Sequence, residues 1–355
     1  MLNKQNDSNH ATLESVRDYY GKVLKSTKDL KTSACCTIDA MPRHLREIAN
    51  EIHEEVTSKF YGCGTPVPFC LEGKTVLDLG SGTGRDCYIH SKLVGESGKV
   101  IGVDMTDEQL EVANKYVDYH TKKFGFSKPN VTFHKGYIED LESIGLESNS
   151  VDLVVSNCVV NLSPDKRRVF SEIMRVLKPG GELYYSDVFS DRRIPEPLTK
   201  DPELLGECLG GALYTEDFRR LMQDLGYPDV RTVSKSPIAL NNPSIERKAG
   251  MINFTSITIR AFKVDIEDRC EDYGQVAYYN GTIEECPHAF VLDDHHTFKT
   301  NQPLPVCSNT AAMLLETRYA PHFRVIGDTS THYGLFDCSG DTSSVGSTDS
   351  GAACC

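Results

Sequence analysis

The rhythm of apolar and polar positions changes near residue 74. Before it, Leu45, Ile48, Ala49, Ile52 and Val56 recur three or four residues apart, which predicts a helix over 42–60 with one buried face. Pro42 suits its first helical position, and Gly62 and Gly64, followed by Pro66 and Pro68, end it. A further helix is expected over 12–24. From residue 74 onward, Lys74–Leu79, Lys99–Asp104, Val131–His134, Val151–Ser156 and Gly181–Asp187 read as strands, separated by helical stretches near 85–94, 106–124 and 165–177. Strands that are apolar throughout and alternate with helices predict a parallel sheet covered on both faces.

Beyond residue 188 the pattern loosens. A helix is expected near 216–225, capped by Thr215 and stopped at Gly226. Val230–Ser234 alternates, and so does Thr255–Phe262, whose TSITIRAF reads as a half-buried antiparallel strand. After Val264 the periodicity weakens, and residues 266–335 are expected to form a small, loop-rich β unit. The final SGDTSSVGSTDSGAACC has almost nothing to bury and is expected to be disordered.

Composition then narrows the function classes. A chain of 355 residues suggests two or three units. The net charge of −13, with no basic stripe, argues against a nucleic acid as the main partner. No run of 18 apolar residues occurs and the first 30 residues are polar, so neither a membrane span nor a secretory signal is expected. A cytoplasmic location, where thiols stay reduced, follows as the expectation. There the 13 cysteines are many, and they are scattered, with no CxxC pair and no zinc-finger spacing. Such cysteines either pack as small hydrophobes or converge on a soft ligand, and composition does not choose between the two.

The densest chemical signal is Val76-Leu-Asp-Leu-Gly-Ser-Gly-Thr-Gly-Arg85, a buried strand running into a glycine turn and then a helix. Glycines there admit positive φ and let backbone N–H groups approach a ligand closely. Asp104, twenty residues past Gly84, closes the second strand where a carboxylate can accept from both hydroxyls of a ribose. The G-x-G-x-x-G dinucleotide fingerprint needs its third glycine at position 85, where Arg85 stands and Gly84 comes one residue early, and Asp78 precedes the glycines.

This D-x-G-x-G-x-G wording resembles the first motif of class I S-adenosylmethionine methyltransferases. Gly136-Tyr-Ile-Glu-Asp140, Asp152-Leu-Val-Val-Ser-Asn157 and Arg175-Val-Leu-Lys-Pro-Gly-Gly-Glu-Leu183 follow in the family's order. The resemblance implies Asp78 near the cofactor's amino group, with Gly80, Gly82 and Gly84 against the cofactor and Asp104 holding the ribose. It further assigns Met105, Ile138, Glu139 and Asn157 to cofactor binding.

Four other phrases, Ala34-Cys-Cys36, Tyr61-Gly-Cys-Gly64, Ser156-Asn-Cys-Val-Val-Asn-Leu162 and Gly206-Glu-Cys-Leu-Gly-Gly-Ala-Leu213, closely resemble arsenite methyltransferases. That resemblance implies four arsenic-handling cysteines at Cys35, Cys63, Cys158 and Cys208, with Cys36 an extra neighbour of Cys35. Cys158 and Cys208 would hold trivalent arsenic near the methyl group, Cys63 would be the third ligand, and Cys35 would relay disulfides with Cys63. The terminal Cys354-Cys355 resembles the cysteine-rich tails of animal members.

The residue types suit this chemistry. Trivalent arsenic is soft and thiophilic. Three sulfurs leave its lone pair free to attack a sulfonium methyl in line, with no general base needed. The gain in oxidation state can be returned by two thiols closing a disulfide, which an external thiol reductant, thioredoxin or glutathione, must reopen. Mono- and dimethylated arsenicals are the expected products, and arsenite or an arsenic–thiol conjugate the small-molecule substrate of a monomer.

The expected architecture is α/β. N-terminal helices (1–70) close over the site, followed by a Rossmann-like sheet with helices on both faces (71–190) and an α+β arsenite-binding region (191–265). A small β-rich unit (266–335) and a tail (336–355) complete it. Cys70, Cys87, Cys270, Cys286, Cys307 and Cys338 are read as packing or incidental. Two other readings stay open: a carbon- or nitrogen-methyltransferase acting on a quinone, sterol or amine, and a non-catalytic thiol-rich metalloid binder.

Overall fold

The apolar runs become five parallel strands, β1 (Thr75–Leu79), β2 (Lys99–Asp104), β3 (Val131–Lys135), β4 (Val151–Asn157) and β5 (Leu177–Ser190). They belong to a computed structural model that describes Val16 and residues 41–60 and 62–338. Three more strands, β6 (Leu213–Tyr214), β7 (Val230–Pro237) and β8 (Phe254–Phe262), join the same sheet. The order is β3-β2-β1-β4-β5-β8-β7, with β6 paired to β5 and β8 antiparallel to both neighbours. Val76 lies opposite Val100 on one side and Leu153 on the other, which sets β1 at the centre. The chain works outward from β1 through β2 and β3, then turns the other way from β4. The carboxyl ends of β1 and β4 therefore border the crevice where such sheets bind ligands.

Helices pack on both faces. They comprise α1 (Arg43–Ala49), α2 (Glu54–Thr57), α3 (Arg85–Val94), α4 (Asp107–Lys115), α5 (Val117–Phe124) and α6 (Lys166–Val176). In α6 the side chains of Val169, Phe170, Ile173, Met174 and Val176 share one buried face, and Asp165 caps it by accepting from the Arg168 N–H at 3.0 Å. Beyond β5 come α7 (Glu196–Thr199), α8 (Pro202–Gly206), α9 (Thr215–Asp224) and α10 (Pro243–Ala249).

Several expectations change. The helix over 42–60 is two pieces, because His53 ends the run by capping α2 through its Nδ1 and stacking on Tyr116 at 3.8 Å. Pro42 is the cap of α1 rather than its first residue, yet Leu45, Ala49, Ile52 and Val56 still share the buried side. The helix over 106–124 breaks at the same Tyr116. Tyr214, not Thr215, caps α9. The helix over 12–24 lies outside the described residues apart from Val16, which is buried.

The largest correction concerns TSITIRAF. It is antiparallel as expected but buried on both faces. Ile257, Ile259 and Ala261 pack with Phe218 and Met222 of α9. The alternate polar side chains face other protein: Ser256 donates to the Cys63 carbonyl at 3.0 Å, and Thr258 bonds Ser186 at 2.8 Å. Arg260 bonds Glu182 at 2.7 Å and the Tyr319 hydroxyl at 2.8 Å. An alternating pattern marks a solvent face only when nothing else covers it.

The C-terminal residues form small antiparallel sheets, as the weak β pattern implied. Val276–Tyr279 lies between Pro303–Pro305 and Phe323–Ile326, and Ala289–Val291 pairs with Thr297–Lys299. A helix missed by the sequence reading, α11 (Ser308–Leu315), packs with them. Phe290, Tyr319, Phe323 and Tyr279 are buried in one cluster with Phe262 of β8. No helix among the described residues is long and apolar enough to cross a membrane.

Candidate active site

A cleft of about 940 Å³, counting its open mouth, lies over the carboxyl ends of β1, β2 and β4. Asp78, Gly80, Gly82, Asp104, Met105, Ile138, Glu139, Asn157 and Cys158 all line it. Gly84 does not. It caps α3 at φ +87°, and a Cβ there would lie 2.7 Å from the Phe133 ring, so its part is to turn the chain against the sheet.

Asp104 accepts from the Gly82 N–H at 2.9 Å and the Thr106 N–H at 2.8 Å, tying the glycine loop to the end of β2. A carboxylate has lone pairs left for two ribose hydroxyls after such bonds. Asp78 is buried, and its carboxylate accepts from the Cys87 thiol at 3.2 Å. Burial, followed by the nearby Asp86 charge, pushes its carboxyl well above the ordinary range. Burial likewise raises Asp104, against the opposing pull of its backbone bonds. A pocket with crowded carboxyls suits a ligand carrying ammonium and sulfonium charges. Ser81, buried in the cleft wall, has a hydroxyl with no hydrogen-bond partner among the described residues, as a site awaiting a polar ligand would. These groups fit S-adenosylmethionine.

Asn157 does more than line the cleft. Its side chain accepts from the Gly64 N–H at 3.0 Å, donates to the Gly64 carbonyl at 2.9 Å and donates to Asp86 at 2.9 Å. It thereby straps the Gly62-Cys-Gly64 segment onto the end of β4. That segment lies so close that a Cβ on Gly62 would be 2.5 Å from the Asn157 amide, and one on Gly64 2.2 Å from Ser186 Oγ. The two glycines let Cys63 reach the sheet.

Cys63 is disulfide-bonded to Cys158, which follows β4 directly, across 95 residues of sequence. Cys208, on the turn after α8, is not in a disulfide, and its thiol donates to the Cys158 carbonyl at 3.3 Å. Cys158 and Cys208 adopt left-handed φ of +58° and +60°. For non-glycine residues that conformation costs about 1–3 kcal/mol and clusters at functional sites. Three of the four expected cysteines thus meet at one end of the cleft. Cys35 and Cys36 lie outside the described residues, as do Cys354 and Cys355. Cys63 is joined to Cys158, and the expected relay through Cys35 falls on a residue outside the described ones.

Sequence reasoning missed two further groups here. The Asp187 carboxylate, on β5, lies within 4.8 Å of both disulfide sulfurs. Burial pushes it up to about 7, opposed by the Val188 and Asn161 N–H groups and by Lys166. Burial pulls the Lys166 amine down to about 8, opposed by Asp187, Glu139 and Cys208. Neither stood out, because each sits alone among ordinary apolar or helical residues. Ser81 and Gln109 also line the cleft, the first inside the glycine motif and the second one helical turn past Thr106.

The chain matches a methyltransferase-domain family over residues 71–226 and the family described as arsenite methyltransferase C-terminal domain over residues 272–350. It is 54% identical to an arsenite methyltransferase of Aquipseudomonas alcaligenes over 92% of this chain and 94% of that one. It is 46% identical to the Homo sapiens arsenite methyltransferase over 89% and 84%, respectively. The crystal structure of an arsenic(III) S-adenosylmethionine methyltransferase from Chlamydomonas reinhardtii superposes with a TM-score of 0.81 at 52% identity, covering 84% of this chain and all (100%) of that one. With its glycine loop, its Asp104 at the end of β2 and its converging cysteines, the chain belongs to the arsenite methyltransferases, enzymes of the class I S-adenosylmethionine-dependent fold.

Proposed function

We propose that this enzyme methylates trivalent arsenic held by Cys158, Cys208 and Cys63, yielding mono- and dimethylated arsenicals. The observation that carries the reading is the meeting of these three cysteines at the end of the cleft that Asp78 and Asp104 line. Bound S-adenosylmethionine supplies an electrophilic methyl on a good leaving group.

The chain's own work is positioning. Asp104 orients the ribose and Asp78 the amino group, while Ile138 and Glu139 border the adenine. Val16, Lys59 and Phe60 also line the cleft, which supports a covering role for the N-terminal segment. The reduced thiolates of Cys63, Cys158 and Cys208 hold arsenic as a pyramidal substrate, so its lone pair points at the methyl carbon.

The lone pair forms the new As–C bond and arsenic is oxidised by two electrons. Sulfurs of Cys63 and Cys158 then join, releasing two electrons to arsenic and restoring its trivalent state. An external thiol reductant, one thioredoxin dithiol or two glutathione thiols, must reopen that disulfide, by way of Cys35 in the relay we propose. The Cys63–Cys158 bond in the structure supports the two sulfurs being close enough to close it. The same reading makes the enzyme a cytosolic monomer acting on a small molecule, with residues 191–265 as the arsenic-binding region.

Thiol-reactive labelling of the reduced protein, with and without arsenite, tests the shared site. Joint protection of Cys63, Cys158 and Cys208 is expected. Labelling of all three at an unchanged rate would remove them from the substrate site.

A further inference from the structure

A second cluster of thiols lies at the other edge of the sheet, where the C-terminal unit meets β7. Cys307 is fully buried and caps α11. Its sulfur accepts from the Thr310 N–H at 3.4 Å, lies 3.2 Å from the Thr310 hydroxyl and 4.0 Å from Arg231 Nη2. Cys270 lies in hydrogen-bond contact with the same sulfur. Arg231 is itself fixed by Asp229 and by Asp293 at 3.1 Å, with His296 bonded to Asp293. A cleft on this face is lined by Cys270, Cys338, Arg231 and His296 but not by Cys307. The Phe336 N–H donates to the Cys270 carbonyl at 2.8 Å, which holds the following chain beside the cleft.

This arrangement differs from a packing cysteine. Burial pushes the Cys87 and Cys70 thiols up, as apolar surroundings should. The Cys307 thiol goes the other way, drawn down by its hydrogen bond with Cys270, by Arg231 and by both Thr310 donors. A helix N-terminus and a guanidinium favour a thiolate. Cys270 is 8% exposed and lines the cleft, whereas Cys307 is fully buried and does not, so an incoming molecule meets Cys270 first.

We propose that Cys270 and Cys307 form a second thiol–disulfide exchange site, open through Cys270 to a molecule carrying a disulfide. Cys270 passes its proton to the Cys307 thiolate while its own sulfur attacks one sulfur of the incoming RSSR. That S–S bond breaks, and the first RS⁻ leaves. Cys307 gives the proton to that departing thiolate and attacks the Cys270 sulfur, expelling the second RS⁻. In sum, two electrons and one proton pass to RSSR, which leaves as RSH and RS⁻, and Cys270 and Cys307 end joined. The reverse sequence reduces the Cys270–Cys307 disulfide and oxidises RSH and RS⁻ to RSSR.

The test uses the full chain, reduced, freed of reductant and incubated with oxidised glutathione, followed by peptide mapping without reduction. Arg269, Lys299 and Arg318 place Cys270 and Cys307 on different tryptic peptides, and fragmentation separates Cys270 from Cys286 on the first. A cross-link between Cys270 and Cys307, replacing both free-thiol peptides, is expected. In Cys307→Ser both the proton acceptor of the first step and the nucleophile of the second are lost, so a glutathione adduct on Cys270 should form more slowly than the wild-type cross-link and then persist. Wild-type protein that keeps both thiols, or that holds a stable Cys270 adduct without linking to Cys307, would overturn the proposal.

Discussion

The Cys208 thiol donates to the backbone carbonyl of Cys158 at 3.3 Å, joining the turn after α8 to the end of β4. That bond places the third sulfur of the site beside the Cys63–Cys158 pair. Because Cys158 follows the same strand that borders the cleft, the substrate site we propose is built on that sheet itself rather than on a separate lid.

Asp104→Asn should weaken S-adenosylmethionine binding about tenfold or more, since a charge-assisted hydrogen bond is worth about 1.5–3 kcal/mol. An amide offers one acceptor oxygen, which cannot serve the Gly82 and Thr106 N–H groups and the ribose together. Calorimetric titration measures this directly. Unchanged affinity would remove Asp104 from the ribose.

Gly64→Ala should displace the Cys63 segment, because its new Cβ would lie 2.2 Å from Ser186 Oγ. Overpacking of this kind costs about 1–3 kcal/mol. A lowered melting temperature and lost arsenic methylation are expected, with cofactor binding kept. Wild-type activity in this variant would show that the close fit of Cys63 on the sheet is unimportant.

Asp187 gives a pH signature. Its carboxyl is pushed up to about 7 in the fold, against about 4 when unfolded. Folding therefore favours its protonated form, and the stability this contributes is full below the unfolded value and lost as pH rises through about 7. Asp187→Asn does not titrate, so its stability relative to wild type should rise by up to about 3 kcal/mol between pH 5 and pH 8. Denaturant unfolding at the two pH values measures the gap. A gap that stays constant would mean that the buried carboxyl does not titrate in this range.

The sheet was legible because its strands are apolar throughout and its glycine turn is contiguous, so both signals lie within short stretches of chain. The strand pair β1–β2 and the Asp78–Asp104 frame needed nothing from elsewhere. What escaped was set by contacts across the fold. Ser256, Thr258 and Arg260 look solvent-facing until the Cys63 segment and Tyr319 cover them. His53 looks like any helical residue until it stacks on Tyr116, 63 positions later in the numbering. Cys270 and Cys307 read as packing, because the Arg231 and Thr310 that surround Cys307 come from β7 and from inside α11.

The reductant should control turnover. Reduced protein freed of thiols is expected to complete about one methyl transfer per chain and stop, since closing one disulfide consumes the available electron pair. Adding a dithiol should restart it. Many turnovers without added reductant would rule out the disulfide step.

The most direct measurement is transfer of labelled methyl from S-adenosylmethionine to arsenite by wild type, Cys158→Ser and Cys208→Ser, with cofactor affinity measured beside it. Both variants should lose about 100-fold or more of the methylation rate, as misplacing a reactant does, while binding the cofactor within about twofold of wild type. Full methylation by either serine variant would contradict the assignment of these sulfurs to the substrate site.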